Sequence, residues 1–398
     1  MSEDDQPLPP ILPPATIGIL GGGQLGRMLG MAARAMGYRV AVLDPDRGCP
    51  AAAIADRVVV GAYDDIAAAL AMAEACAVVT YELEHVSLEL VEAIEGTVPV
   101  RPGSRPLRVT QDRLAERDFV ETSGTAVAPW LQVRTSEDLR DAATALGLPL
   151  RLKATTGGYD GRSQVRVATL DDIDGAIVRL GRPANAALLA ERELDFEAEL
   201  SVIVARASDG TRATYPPARN VHDRGILSAS WAPADLPDAS LRAGVTIAER
   251  LAVAMDLVGT LTAELFLLRD GTLVVNELAP RVHNSGHWSI EGSATSQFEQ
   301  HVRAICGLPL GETSAHRPTA VVNVLGTGPR RAARLVGVAA ALADPAVHLH
   351  LYDKREVFER RKMGHVTALG RTPAEALARA RTARGHLGWA GDEAEEER

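Results

Sequence analysis

The sequence predicts a mixed fold, α/β in its first quarter and α+β in the remainder. Short apolar strands alternate with helical segments between residues 15 and 112, which indicates a parallel sheet. Further along, apolar runs lie on either side of Gly-containing segments at 155–162 and 270–271, a pattern typical of antiparallel hairpins. Residues 309–390 combine strands with an Ala- and Arg-rich helix, which predicts a small α+β domain.

The composition excludes several classes of protein. With 398 residues, 46% of them hydrophobic, the chain is long enough for two or three globular domains. A net charge of −10 argues against a nucleic-acid partner. No apolar run reaches membrane-spanning length, and three widely spaced cysteines are typical of a cytoplasmic protein. We expect residues 1–14 to be a disordered extension and residues 391–398 an acidic tail.

The first domain is predicted to begin with the strand Ala15–Leu20, a glycine turn and a helix, followed by the strand Val40–Leu43. Its further elements are expected to be a helix, a strand, a helix and a strand at Ala51–Asp56, Val58–Val60, Ile66–Ala73 and Ala77–Tyr81. Ligands of a parallel sheet bind beyond the carboxyl ends of its strands. The residues predicted at that edge are those of the glycine turn with Glu82, Glu84 and His85.

The glycine turn has the pattern G-x-G-x-x-G at Gly21, Gly23 and Gly26, and Asp44 ends the next strand. Such a turn can hold a phosphate at a helix N-terminus while the acid binds a ribose, as in an NAD-dependent dehydrogenase. Two alternatives stay open at this point. The glycines could serve only tight packing of the helix on the strand, or they could bind a different phosphate.

The middle of the chain is predicted to contain a mobile flap. A helix over Val109–Ser123 precedes the strand Pro149–Ala154, which carries Lys153, and a Gly-rich loop joins that strand to Gln164–Ala168. The sequence lacks the G-x-x-x-x-G-K-[ST] pattern of P-loop NTPases. A Gly-rich flap beside a lysine can still cover a triphosphate. An ordinary tight hairpin is the alternative interpretation.

Two further strands, Ala186–Ala190 and Glu197–Val204, flank the polar segment Glu191–Leu194. Backbone groups of that segment, together with Glu199, could hold a purine and its ribose. Surface charge explains the same residues equally well. A helix over Arg242–Met255 then leads into the next hairpin.

That hairpin carries the acid pair around which the functional prediction is built. The runs Leu261–Leu268 and Leu273–Leu278 flank Asp270-Gly271, a strong signal for a two-residue turn. A two-residue turn pairs Arg269 with Thr272 and places Glu264 opposite Glu277. Facing residues have Cβ atoms roughly 5 Å apart. At an effective dielectric constant near 20, two carboxylates at that distance repel by about 3 kcal/mol.

A bound cation would offset this repulsion, and two carboxylates facing one point suit Mg²⁺ together with substrate phosphates. The alternative is a solvated pair of glutamates, and a longer turn would shift the register. The polar residues that crowd the following loop favour the metal; they are Asn276, Arg281, His283, Asn284, His287 and Trp288.

Segments along nearly the whole chain resemble one enzyme family. They are ILGGGQLGRML at 19–29, TGGYDGR at 156–162, NELAPRVHNSGHW at 276–288, LHLYDK at 349–354 and RKMGHV at 361–366. On these segments the chain resembles the ATP-grasp carboxylate–amine ligases, and among them the 5-(carboxyamino)imidazole ribonucleotide synthases of purine biosynthesis. The resemblance implies an ATP-grasp fold in three parts. These are an N-terminal Rossmann-like (pre-ATP-grasp) domain at 15–112, an ATP-grasp domain at 113–308 with its flap at about 148–195, and a C-terminal domain at 309–390.

The resemblance also implies a site for ATP and Mg²⁺. Glu264 and Glu277 would bind the metal ion. The residues implied for ATP are Arg113, Lys153, Gly158, Tyr159, Asp160, Gly161, Arg162, Ser163, Gln164, Glu191, Arg192, Glu193, Leu194, Glu199, His222, Asn276 and Glu277.

The second implied substrate is aminoimidazole ribonucleotide. The residues implied for it are Gly23, Gln24, Leu25, Glu84, Tyr159, Asp160, Arg162, His283, Asn284, Lys354, Arg361 and Lys362, the last three around its 5′-phosphate. The implied reaction carboxylates its exocyclic amine with bicarbonate through carboxyphosphate. Arg281 would stabilise the bicarbonate-derived anion, and Asp160 or His283 would handle the amine proton. The family is usually dimeric, so we expect a homodimer.

Three competing interpretations make different demands on the sequence. An NAD-dependent dehydrogenase would use the glycine turn and Asp44 but leaves Glu264 and Glu277 without a role. A formate-using ribonucleotide transformylase shares the turn and the acid pair, but the segments 283–288 and 352–365 argue against it. A non-catalytic nucleotide-binding module would lack the acid pair.

Overall fold

The computed structural model describes residues 9–157, 163–183 and 185–391. Its N-terminal elements are β1 (Thr16–Leu20), α1 (Gln24–Ala35), β2 (Arg39–Asp44), β3 (Arg57–Val60), α2 (Ile66–Ala73), β4 (Val78–Tyr81), α3 (Leu88–Glu95) and α4 (Ser104–Gln111). The four strands form a parallel sheet in the order β3-β2-β1-β4. The sequence prediction of this sheet is confirmed. A 3₁₀ turn at Pro50–Ala53 stands where a helix was expected.

Residues 9–14 are attached to the N-terminal region. The Ile11 amide donates to the Cys306 carbonyl at 2.8 Å, and the Tyr38 hydroxyl donates to the Ile11 carbonyl at 2.6 Å. Ile11 also packs against the apolar core of this region. The expectation of a disordered extension is therefore wrong for this part of residues 1–14.

The predicted helix over Val109–Ser123 is two helices, α4 and α5 (Arg113–Thr122), separated at Asp112. Asp112 has extended backbone angles, and its carboxylate accepts hydrogen bonds from the amides of Leu114 and Ala115. An Asp in this position is a strong helix N-cap, which explains why the helix restarts here.

The next four strands form a separate antiparallel sheet. Its elements are β5 (Trp130–Val133), α6 (Ser136–Leu146), β6 (Leu150–Ala154), β7 (Gln164–Val167), α7 (Ile173–Arg179) and β8 (Leu188–Arg192). The strand order is β5-β8-β6-β7. Lys153 pairs with Gln164, so the predicted flap hairpin is confirmed in the described residues on both sides of its loop. Residues 158–162 of that loop lie outside the described residues.

The large central sheet begins with β9 (Phe196–Arg206), β10 (Arg212–Thr214), β11 (Ala218–Asp223), β12 (Ile226–Ala232), α8 (Asp238–Ala254), β13 (Gly259–Leu268), β14 (Leu273–Ala279), α9 (Ser289–Gly292) and α10 (Gln297–Ile305). Helix α8 packs on β9 and β13 through a core that includes Val202, Leu251 and Leu265. Helix α10 contributes Phe298 and Val302 to the core that also holds Leu29 of α1. The N-terminal region is thereby fixed to the central one.

The C-terminal elements are β15 (Thr319–Leu325), β16 (Arg331–Ala332), β17 (Leu335–Val336), α11 (Val338–Ala341), β18 (Val347–Leu351), β19 (Glu356–Val357), β20 (Lys362–Leu369), α12 (Pro373–Gly385) and β21 (Gly388–Trp389). Three of these strands extend the central sheet, whose order is β14-β13-β9-β11-β12-β15-β20-β18 with β10 beside β9. The C-terminal region therefore shares one continuous sheet with the acid-pair hairpin. Within the described residues, no helix combines the length and apolarity that crossing a membrane requires.

Candidate active site

A cavity of about 990 Å³ lies where the N-terminal, central and C-terminal regions meet. It is lined by most of the residues predicted from the sequence, namely Gly23, Gln24, Leu25, Glu84, Arg113, Lys153, Ser163, Gln164, Glu191, Arg192, Glu193, Leu194, Glu199, His222, Glu264, Asn276, Glu277, Arg281, His283, Asn284, Lys354 and Lys362. Residues as far apart in the sequence as Gly23 and Lys362 thus converge on one site.

Two groups of predicted site residues are not placed in the cavity. Gly158, Tyr159, Asp160, Gly161 and Arg162 lie outside the described residues, so their roles stay predictions. Arg361 is described but does not line the cavity; its guanidinium donates to the Glu356 carbonyl at 2.6 Å and lies 5.1 Å from the Phe358 ring centroid. The prediction that Arg361 grips a substrate phosphate is not supported by this placement.

The acid pair has the predicted register: Glu264 lies opposite Glu277 in the β13–β14 pairing. Near the turn, however, the predicted pairing is wrong by one residue, since Phe266 pairs with Val274 and Leu267 with Leu273. The loop is longer than predicted, because the Gly271 amide donates to the Leu268 carbonyl and Gly271 has a left-handed φ of 86°. An irregularity between Glu264 and Leu265 restores the register at the acids.

Burial acts on both acids, but their neighbours differ. Burial raises the pKa of Glu264 to about 7, an effect that Glu277 and Glu199 reinforce and His222 opposes. Burial also acts to raise the pKa of Glu277, but the positive charges of Arg113, Lys153 and Arg281 hold it below its ordinary value. Glu277 is therefore the more readily ionised of the two, and its Oε2 lies 3.4 Å from Arg113 Nη1.

The donor chemistry of this pair fits Mg²⁺. Two carboxylates supply hard oxygen ligands, and Mg²⁺ in nucleotide sites takes one or two carboxylates plus phosphates and water. Across the described parts of the chain, no group of three His, Cys, Asp or Glu side chains is placed to hold a metal ion by itself. The arrangement thus suits an ion that arrives with a nucleotide, because the remaining ligands would come from its phosphates.

A buried charge network surrounds Lys153. Its ammonium group forms an ion pair with Glu191, whose second oxygen accepts from Arg117 Nε at 2.9 Å. Arg117 is fully buried and also donates to the Asn276 carbonyl at 2.8 Å and to Glu116 at 3.1 Å. This network joins the flap sheet to β14, and it holds Lys153 at the cavity wall.

His222 and Glu199 form a second pair, on the neighbouring strands β11 and β9. His222 Nδ1 and Glu199 Oε2 are hydrogen-bonded. Burial acts to lower the pKa of His222, but this hydrogen bond and the nearby charge of Glu264 raise it overall. The pair borders the cavity beside Phe196 and Phe266, whose rings stack with centroids 4.3 Å apart.

The glycine turn is closed by acids from within the protein. Glu82 accepts hydrogen bonds from the amides of Gly23 and Gly26, each at 2.5 Å, at the N-terminus of α1. Asp44 accepts from the Gly22 amide at 2.8 Å and from the Tyr63 hydroxyl at 2.9 Å. A dinucleotide needs these same groups for its pyrophosphate and ribose. The structure therefore argues against the dehydrogenase interpretation.

Gln24 holds three regions together at one end of the cavity. Its amide nitrogen donates to Asn284 Oδ1 at 2.9 Å, and its amide oxygen accepts from Lys354 Nζ at 2.9 Å. Lys354 also donates to the Lys362 carbonyl at 2.6 Å. These contacts bring an ammonium group of the C-terminal region next to the glycine turn, as a phosphate site there would require.

Arg281 and His283 lie between this end and the acid pair. Arg281 forms a two-pronged ion pair with Glu84, with Nε–Oε1 and Nη2–Oε2 distances of 2.8 and 2.9 Å. Burial, together with Arg281 and Lys362, holds the pKa of His283 well below its ordinary value, so the ring is neutral. The Ser285 amide lies 3.3 Å from His283 Nδ1 and favours the tautomer with the proton on Nε2. His283 Nε2 lies 3.7 Å from Glu264 Oε1.

Two residues important to the site were given no role by the sequence. Glu82 was noticed only as lying at a strand end, and Arg117 sits inside a helix among other charged residues. Their partners are 56 and 59 residues away for Glu82 and 74 and 159 residues away for Arg117. No local pattern signals contacts at such separations. A signal for Arg117 would have been its position on the buried face of α5.

Comparison with known proteins gives matches along almost the entire chain. Three family profiles match in order: a ribonucleotide synthetase preATP-grasp domain at residues 14–111, an ATP-grasp domain at 118–298 and a phosphoribosylaminoimidazole carboxylase C-terminal domain at 319–379. The matched order agrees with the three regions that line the cavity. The fold and the site define an ATP-grasp enzyme.

Several relatives are similar over nearly their full lengths. The N5-carboxyaminoimidazole ribonucleotide synthase of Brucella melitensis is 45% identical over 90% of this chain and 97% of its own. Crystal structures of the Thermotoga maritima synthetase and of the Aspergillus clavatus synthase with ADP and 5-aminoimidazole ribonucleotide have TM-scores of 0.86 and 0.85. They are 34% and 33% identical and cover 94% and 93% of this chain, and 99% and 97% of their own. The chain belongs to the N5-carboxyaminoimidazole ribonucleotide synthase family.

Proposed function

We propose that this protein carboxylates the exocyclic amine of 5-aminoimidazole ribonucleotide with bicarbonate and ATP in de novo purine biosynthesis. The products are 5-(carboxyamino)imidazole ribonucleotide, ADP and phosphate. The observation that carries the proposal is the single cavity that contains the acid pair and Lys153 at one end and Gln24 with Lys354 at the other. The Aspergillus clavatus relative, crystallised with ADP and the ribonucleotide, supports the choice of both ligands.

ATP binds between the flap sheet and the central sheet in this proposal. The backbone of Glu191–Leu194 contacts the adenine, and Glu199 with His222 faces the ribose. Lys153 and Arg113 neutralise the phosphates. Support comes from their convergence on one wall of the cavity, next to the stacked rings of Phe196 and Phe266. Positioning and charge neutralisation are the main demands of phosphoryl transfer.

Glu264 and Glu277 would hold Mg²⁺ in the same site. The ion supplies charge neutralisation of the nucleotide phosphates when it is bound. The support is the facing of the two acids and the raised pKa of Glu264, to about 7, which comes from its burial and from the negative charges of Glu277 and Glu199.

The ribonucleotide binds at the other end of the cavity. Lys354 and Lys362 contact its 5′-phosphate, while Gly23–Leu25, Glu84 and Asn284 surround its base and ribose. Arg361 is left out of this phosphate site because its guanidinium is engaged by Glu356 and Phe358. Two lysines give the cationic donors that a phosphate needs within a chain of net charge −10.

The proposed reaction has two stages. A bicarbonate oxygen attacks the γ-phosphorus of ATP, which gives carboxyphosphate and ADP. Carboxyphosphate separates into CO₂ and phosphate, and the exocyclic amine then attacks CO₂ and loses one proton as the carbamate forms. Arg281 neutralises the bicarbonate-derived anion. His283 donates a hydrogen bond to it from Nε2, since its tautomer makes it a donor there rather than the acceptor of the amine proton. Asp160 remains the predicted acceptor of that proton.

We also propose a cytoplasmic homodimer. The three cysteines are free and buried, as suits a reducing compartment. Exposed apolar side chains on the N-terminal region, including Met31 and Val60, could contribute to a contact between subunits. Sedimentation velocity would give the oligomeric state.

A phosphate-release assay tests the proposed function. ATP, bicarbonate and the ribonucleotide are supplied together and then omitted one at a time, and release is expected to depend on all three. Release that needs a different amine, with none from this ribonucleotide, would reject the substrate assignment. Release with formate in place of bicarbonate would favour the transformylase.

A further inference from the structure

We infer that Arg360 is a positioning residue for the nucleotide end of the cavity. It lies outside the residues that line the cavity and outside every role proposed above. The inference rests on the proposed function in one respect, namely that ATP occupies the end next to His222 and Glu199.

Arg360 holds the turn between β11 and β12. Its Nη2 donates to the carbonyl of Asp223 at 3.2 Å and to the carbonyl of Arg224 at 2.9 Å. Arg224 and Gly225, the two residues of that turn, both line the cavity, as does His222 just before it. The Arg360 guanidinium, which belongs to the C-terminal region, therefore holds the backbone of a turn whose residues line the nucleotide end of the cavity.

Both sides of this contact have unfavourable backbone conformations. Arg360 has a φ of 64° and Arg224 a φ of 46°, in the left-handed region that side chains other than Gly and Asn disfavour. The Arg360 amide donates to the Gly326 carbonyl at 2.8 Å, which holds the residue in place. A glycine at position 360 would adopt this backbone more easily. An arginine at this position can reach two carbonyls of the β11–β12 turn, and these hydrogen bonds offset its unfavourable backbone conformation.

The turn has few other anchors. The β11–β12 pairing is irregular between Val221 and His222, and only the pairs His222–Leu227 and Asp223–Ile226 lie between that irregularity and the turn. The ion pair of Arg224 with Asp223 is long, at 3.5 Å, and both side chains are largely exposed. His222 depends on the position of this segment for its hydrogen bond with Glu199. Loss of the Arg360 contacts should therefore loosen His222 and the cavity wall at Arg224 and Gly225.

The test compares Arg360→Gly with Arg360→Lys and Arg355→Ala. Arg355 comes from the same segment but pairs with Asp46 of the N-terminal region, so it is a matched control. Binding of Mg²⁺–ADP is measured by calorimetry without bicarbonate or ribonucleotide, and thermal unfolding is measured for each variant. Because ADP binding needs no turnover, a wrong carboxylation substrate would not affect this result.

We expect Arg360→Gly to weaken ADP binding about threefold to tenfold, the range for one or two hydrogen bonds, at an unchanged or higher melting temperature. Arg360→Lys should retain part of the affinity, and Arg355→Ala all of it. In turnover, KM for ATP should rise in Arg360→Gly while KM for the ribonucleotide stays constant. Unchanged ADP affinity in Arg360→Gly would overturn the inference. So would an equal loss in Arg355→Ala, or a loss that accompanies a lower melting temperature.

Discussion

Replacing Glu84 by Gln removes the negative charge that holds Arg281 in the cavity wall and changes little else. The side chains keep the same shape, but the guanidinium loses its ionised partner at both the 2.8 Å and the 2.9 Å contact. Only 16% of the Arg281 side chain and 19% of the Glu84 side chain are exposed, so water can compensate little for the loss. Arg281 would then be left with Glu277 and Glu82 as its acidic neighbours.

The magnitude follows from this burial. Removing one partner of a fully buried ion pair costs about 3–5 kcal/mol, and the residual exposure of this pair favours the lower end, about 3 kcal/mol. An exposed pair of the same chemistry provides the control. Glu92 and Arg108 have side-chain exposures of 43% and 62%, and loss of such a pair costs at most about 1 kcal/mol.

The assay is urea unfolding, monitored by the fluorescence of the four tryptophans. Phosphate release is measured on the same preparations. Glu84→Gln should lose about 3 kcal/mol of unfolding free energy and most of its turnover. Glu92→Gln should lose at most about 1 kcal/mol and keep its turnover. Equal losses in the two variants would refute the argument that Arg281 depends on a buried counter-charge.

Three further predictions concern the acids, the phosphate site and a buried histidine. Glu277→Gln should abolish Mg²⁺-dependent ATP turnover, measured by phosphate release, while circular dichroism stays that of the parent protein. Lys354→Ala should raise KM for the ribonucleotide more than KM for ATP in the same assay. Burial lowers the pKa of His301 to about 3, so its unfolded form takes up a proton near pH 6.5 while the folded form does not. His301 alone should account for about 2 kcal/mol of the stability lost between pH 6.5 and pH 5, so in urea titrations the loss in His301→Gln should be smaller by that amount, while the other buried histidines keep their share.

Each of these has a contrary outcome. Turnover near normal in Glu277→Gln would reject the metal assignment, and Glu197→Gln, an exposed acid on β9, serves as its control. An unchanged KM for the ribonucleotide in Lys354→Ala would remove Lys354 from the phosphate site. A pH dependence that is the same with and without His301 would show that other groups dominate acid unfolding.

The acid pair was predictable because a hairpin is a local structure. Its prediction nevertheless reached the right pairing through two compensating differences. The loop at Gly271 is one residue longer than a two-residue turn, and the irregularity after Glu264 offsets that residue. The alternation of side chains fixes which residues face the cavity, but the sequence does not reveal where an irregularity interrupts it.

The contacts between the three regions could not be predicted from the sequence. Glu82 and Asp44 occupy the groups of the glycine turn that a pattern match assigns to a dinucleotide, and only the fold brings Glu82 to that turn. The break at Asp112 was missed because helical periodicity continues on both sides of it. Arg361 was assigned by resemblance, and the sequence does not show that its guanidinium contacts the Glu356 carbonyl and lies 5.1 Å from the Phe358 ring centroid.

The division of the strands into separate sheets has a mechanical consequence. The hairpin with the acid pair and the strand that begins at Lys362 belong to one hydrogen-bonded sheet. Neither can therefore shift far without breaking hydrogen bonds between strands. The flap strands have a sheet of their own, and contacts such as the ion pair of Arg117 with Glu191 join it to the rest. Entry and exit of nucleotide should therefore use a hinge between the two sheets, while the proposed ribonucleotide end of the cavity stays in place.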